Sequence, residues 1–141
     1  MPFKFEKLEV YQLALDYIDA IYAIANALPE TEGYNLRSQI TRAATSVALN
    51  IAEGSTSQTD PEQARFLSMA IRSLLETVAC LHIIRRRAFL KEATCLEEAY
   101  ASAEVLAAKL HRMRQAVNGG KTIREESGNY LLEDQWQVSN L

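Results

Sequence analysis

With 141 residues and 48% hydrophobic content, the chain has the length of one globular domain, able to bury roughly 68–70% of its unfolded surface without staples. Its 15 Lys and Arg stand against 18 Asp and Glu, a formal net charge of -3. This balance excludes the global basic field that advertises a nucleic-acid partner, so any basic binding surface has to be local.

The first ten residues mix Lys4, Glu6, Lys7 and Glu9 with apolar side chains, without the apolar run and small-residue cleavage site of a signal peptide. A cytoplasmic protein is expected. The first helix is predicted over about residues 6–27, with Leu8, Tyr11, Leu15, Ile18, Tyr22 and Ala25 at alternating spacings of three and four. A second seam runs beside it: Val10, Ala14, Tyr17, Ile21, Ile24 and Leu28. Two seams make a wider apolar face than one neighbouring helix needs, which predicts an oligomer with Tyr11, Tyr17, Ile21 and Ile24 at its interface. On that expectation, Glu at Ile21 and Ile24 splits the oligomer while helicity persists. Asp16, Asp19 and Asn26 interrupt this helix, short of the ~20 apolar residues of a membrane span, and no membrane partner is expected.

Pro29 and Gly33 close the first segment, and a second helix is predicted over about 36–53. Leu36, Ile40, Ala43 and Val47 form its seam, and Ala44, Ser46, Ala48 and Ala52 let another backbone approach closely. Asn50 continues the seam, where a hydrogen-bonded polar side chain can fix register. Arg42, Glu53 and Glu76 are expected to form an inter-helix ionic network with it. Gly54 is expected to end the helix as a left-handed C-cap.

The third helix is predicted from Asp60 as N-cap, with Pro61 at the first helical position and Gln63 able to close a capping box, to about Arg87. Its seam is Leu67, Ile71, Leu74, Val78 and Leu81. The fourth is predicted after a break near 89–91, with Leu96, Tyr100, Ala103, Ala107 and Leu110 facing inward and Gly119 as the stop. Four amphipathic helices with short connections predict an all-α, antiparallel up-down-up-down four-helix bundle over residues 1–118. The tail, 119–141, mixes charges with Tyr130, Leu131, Leu132 and Trp136 without a sustained period, which suits disorder or folding against a partner.

No catalytic, cofactor or metal site emerges. Cys80 and Cys95 lie in helical patterns without a CxxC pair and are expected as reduced, packed thiols. His82 and His111 lack the Glu three residues earlier that a di-iron bundle requires, and there is no HExxH. Gly120-Lys121-Thr122 imitates the end of a phosphate-binding loop, yet Gln115 stands where that loop needs Gly. The chain reads as a non-enzyme.

Arg42-Ala43-Ala44-Thr45-Ser46, Asn50-Ile51-Ala52-Glu53-Gly54, Phe66-Leu67, Ala70, Ser73-Leu74 and Glu76 form a spaced pattern, extended backwards by Phe5, Leu8, Val10 and Tyr11. The pattern resembles the four-helix bundle proteins encoded in 23S ribosomal RNA intervening sequences, over about four fifths of the chain. That family includes the accessory variability determinant of diversity-generating retroelements, a ring-like homopentamer that binds nucleic acid and a reverse transcriptase. The resemblance thus implies a homopentamer, RNA or DNA, and a reverse transcriptase as partners. Arg72 departs from it, standing where the family usually has a small residue, so either helix packing changes there or the guanidinium reaches outward.

The basic candidates for a nucleic-acid surface are Arg37, Arg42, Arg85, Arg86, Arg87, Lys109, Arg112 and Arg114, which a symmetric ring repeats once per subunit. Phosphate contacts need positive charge rather than sequence-specific geometry. Arginines at a helix C-terminus are also stabilising without any ligand. The competing expectation is an assembly or adaptor bundle whose partner is another protein.

Overall fold

The periodic stretches fold as helices. In the computed structural model, which describes residues 2–119, four α-helices follow one another: α1 (Glu9–Asn26), α2 (Leu36–Ser55), α3 (Asp60–Arg86) and α4 (Thr94–Val117). Short 3-10 turns at Lys4–Lys7 and Glu30–Glu32 precede α1 and α2, and the described residues contain no strand. The tail from residue 120 lies outside the described residues.

Helix α1 begins later than its apolar period suggests. The carboxylate of Glu6 accepts the Phe3 N–H and holds the tighter turn. At the start of α3 the cap is Thr59, whose hydroxyl accepts the Glu62 N–H at 3.3 Å. Asp60 is therefore the first helical residue and Pro61 the second, one step on from the predicted register.

The end of α3 has no glycine. Ala88 itself turns left-handed at φ 53°, and the N–H groups of Ala88 and Phe89 donate to Arg85 O (3.0 Å) and Ile84 O (3.3 Å), the Schellman pattern. A side chain in that conformation costs about 1 kcal/mol. Ala88→Gly is expected to raise stability by about 0.5–1 kcal/mol, read as a higher urea midpoint at unchanged slope; an unchanged midpoint would show that Ala88 is not held left-handed. Gly119, at φ 66°, follows α4 as its stop.

Each helix packs against two others: α2 against α1 and α3, and α4 against α3 and α1. Among the described residues, close backbone approach joins neither α1 with α3 nor α2 with α4, so these pairs face each other across the core. Ala43, Ala44 and Ala48 of α2 are buried, as the small side chains of a closely packed helix must be. All five seam residues of α3 are buried too. At the centre, Thr77 donates to Leu74 O (2.5 Å), which leaves its oxygen to accept from the Tyr17 hydroxyl at 2.7 Å. Burial raises the phenol's pKa, so Tyr17 keeps its proton and this cross-core hydrogen bond.

Of the two seams on α1, the second is the core. Val10, Ala14, Tyr17, Ile21, Ile24 and Leu28 are all buried, with Ile21 at 0% exposure. This corrects the expected interface: Tyr17, Ile21 and Ile24 are buried in the chain's own core. The first seam forms the flank of α1. Tyr11 is half-buried, with its ring edge-on to Phe5 at 4.9 Å, while Leu15 and Tyr22 are exposed.

Gly54 is also corrected. It lies inside α2, not beyond it, because α3 crosses there: a Cβ on Gly54 would sit 3.0 Å from Phe66 Cβ, itself fixed to the α3 backbone. In an open helix Gly→Ala gains about 1 kcal/mol. Here the helices must move apart, and Gly54→Ala is expected to cost about 1–2 kcal/mol net in urea unfolding. A gain in stability would mean that α2 and α3 are more loosely apposed.

The predicted ionic network does not form among the described residues. Arg42, Glu53 and Glu76 are exposed, and the half-buried Asn50 donates within its own helix, to Ser46 O (2.9 Å) and Ser46 Oγ (3.0 Å). Register between α2 and α3 is marked instead by the Ser73 to Ser46 hydroxyl bond, 2.9 Å. Arg72 is exposed, so its guanidinium reaches outward. Cys80 is buried as expected, whereas Cys95 is exposed near the start of α4.

Among the described helices, α3 alone is long and apolar enough by composition to cross a membrane. Its composition thus passes a limit that the Asp16, Asp19 and Asn26 interruptions keep α1 below. Half of the apolar window is buried in the protein, as a central core helix requires.

Candidate nucleic-acid interface

Tertiary packing divides the basic candidates into those committed inward and those left to solvent. Arg37 is half-buried and caps the end of α1: its Nε donates to Ala25 O (2.9 Å) and a terminal nitrogen to Leu28 O (2.8 Å). Ala25 O also accepts the Leu28 N–H at 3.2 Å, so the arginine adds a side-chain donor to the local turn that ends α1. Lys109 pairs with Glu9 at 2.6 Å, tying α4 to the start of α1 in a partly exposed bridge worth about 0–1 kcal/mol.

Arg114 is half-buried, donating to Ser68 Oγ on α3 (3.2 Å) and to His111 Nδ1 (2.8 Å). A guanidinium can only donate, so Nδ1 accepts and the neutral ring carries its proton on Nε2. The ring is 4% exposed, and burial followed by the Arg114 charge lowers its pKa to about 4. His111 thus belongs to the core.

Arg42, Arg85, Arg86, Arg87 and Arg112 are exposed. Arg85 and Arg86 occupy the last turn of α3, where their charge suits the helix dipole, and Arg87 lies 5.8 Å from the Phe89 ring centroid. Arg112 stands on the outer surface of α4. Arg42 stands on α2, Arg85–Arg87 close the end of α3, and Arg112 belongs to α4.

Arg42 differs in being set in a concavity. An open groove of about 400 Å³ runs along the outer face of α2, lined by Ser38, Thr41, Arg42, Thr45 and Ser46. Tyr22 of α1, 45% exposed, and Leu49, 59% exposed, also line it. One terminal nitrogen of Arg42 donates to Ser38 Oγ at 3.2 Å, which orients the guanidinium along the helix. The polar positions 38, 41, 42 and 45 follow helical spacing, with the apolar Leu49 one turn on, so this stripe was present in the sequence. Its signal is the spacing of hydroxyls rather than charge, and Tyr22 reaches it from an apolar seam of another helix.

The described residues therefore define an all-α, four-helix protein with a cationic, hydroxyl-lined groove on one helix. They hold no cluster of three His, Cys, Asp or Glu side chains that could bind a metal ion. The chain belongs to the 23S rRNA-intervening sequence protein family, whose model matches residues 6–113. Among curated proteins, none matches it.

Proposed function

We propose that this chain is a non-enzymatic, cytoplasmic nucleic-acid-binding protein, built as an antiparallel up-down-up-down bundle, that grips RNA or DNA backbone at Arg42. The cyclic order of helix neighbours supports the topology, as do the contacts of Arg37 with the end of α1 and of Arg114 with Ser68. The observation that carries the nucleic-acid assignment is the groove: one exposed guanidinium among hydroxyls, with no carboxylate in the lining. Such a surface favours phosphate oxygens.

Homo-oligomerisation into a ring, a pentamer by family resemblance, multiplies this modest charge by repeating Arg42 in every subunit. A reverse transcriptase as partner, and a place in a retroelement, follow from that resemblance alone. The exposed Leu15 on the flank of α1 offers an apolar surface for contacts between copies.

Anisotropy of fluorescent structured RNA and DNA across a salt series, on protein of mass determined by light scattering, tests the assignment. Micromolar binding that weakens steeply with salt is expected, and Arg42→Gln should reduce affinity several-fold and flatten the salt slope. Absence of binding at low salt would overturn it and leave a protein-assembly role in front.

A further inference from the structure

We infer that the groove on α2 is a site for an unpaired nucleotide, with the phosphate at Arg42 and the base stacked on Tyr22, so that the protein selects single strands over duplex. This rests on the nucleic-acid assignment and specifies its substrate class.

The hydrogen-bonding inventory of the groove determines the ligand's chemistry. Thr41 spends its hydroxyl hydrogen on Arg37 O at 2.8 Å. Ser46 Oγ accepts from Asn50 (3.0 Å) and Ser73 (2.9 Å), which leaves its O–H to donate, while Ser38 Oγ accepts from Arg42 (3.2 Å) and keeps its O–H and one lone pair. Thr45 adds another hydroxyl, and Arg42 retains its Nε and second terminal nitrogen as donors. The spare capacity thus leans towards donors, around one fixed positive charge. The matching ligand is an anion with several oxygens, as a phosphodiester is.

An anion alone leaves Tyr22 and Leu49 unexplained. Both are apolar surfaces on the same groove, and both are substantially exposed. A flat ring attached to the phosphate would cover them, and an aromatic side chain beside a cation is how proteins hold successive bases of a single strand. A base within a duplex is already stacked on its neighbours and cannot lie on Tyr22. The groove volume of about 400 Å³ falls in the range of small-ligand sites.

The test uses a fluorescein-labelled 12-nucleotide RNA and its duplex with the complementary strand. Both are titrated at low salt into the full chain and into Tyr22→Phe, Tyr22→Leu and Arg42→Gln, each checked for an unchanged thermal melt. The single strand is expected to bind about ten-fold more tightly than the duplex, with Tyr22→Phe retaining that preference and Tyr22→Leu abolishing it. Arg42→Gln should weaken both. Equal affinity for strand and duplex, or a Tyr22→Leu protein that binds like the unaltered chain, would overturn the stacking site while leaving backbone binding in place. Failure of both RNAs to bind the unaltered chain would overturn the nucleic-acid assignment itself.

Discussion

Ile21→Glu is expected to unfold the chain rather than dissociate an assembly. Ile21 is wholly buried between the helices, in a core it shares with Tyr17 and Ile24. Replacing it removes about 1.5–3 kcal/mol of apolar burial. It also places a carboxylate where no cation is available, a further several kcal/mol unless the group takes up a proton. Together these approach the whole stability of a typical domain, about 5–15 kcal/mol. Circular dichroism should show helicity falling at 25 °C and the cooperative melt disappearing. Leu49→Glu, at a site 59% exposed, should change stability by no more than about 0.5 kcal/mol. A smaller, fully helical species from Ile21→Glu would return this residue to a subunit interface.

The second large effect concerns pH. His111 is held neutral in the folded protein, with its pKa lowered to about 4, against an ordinary value of 6.5. Well above pH 6.5 the ring is neutral in the folded and the unfolded chain alike, and it contributes almost nothing to the pH dependence. As pH falls below 6.5 the unfolded chain takes up a proton that the folded chain refuses, so stability declines until about pH 4. Between pH 7.5 and 5 the expected loss from this ring is about 2 kcal/mol. Urea unfolding at the two pH values measures it, and His111→Gln should remove most of the difference whatever its own stability. Equal pH dependence in the two proteins would show that His111 protonates freely in the fold.

How much of this was legible beforehand follows from the range of each interaction. The aliphatic seam of α3 and the Gly119 stop are local patterns, and the structure keeps them. The end of α2 was misplaced because Gly54 looks like a helix stop in isolation. Only the approach of Phe66, twelve residues later on another helix, explains a glycine there. The arginines were equally ambiguous. Arg37 and Arg42 are five residues apart on one helix, yet the first finds the carbonyls ending α1 and the second faces solvent. Arg114 finds Ser68 across 46 residues of chain.

By itself, then, the amino-acid sequence determined that there are four helices, where most of them start and stop, and that α1 has two apolar stripes. Membership of the family was written in Arg42–Ser46 and Asn50–Gly54 as well. The tertiary structure decided which stripe of α1 faces inward, which charges are spent holding helices together, and that Tyr22 and Arg42 share one groove. Helical periodicity fixes the angle between side chains on one helix, whereas the direction that is inside depends on where the other three helices pack.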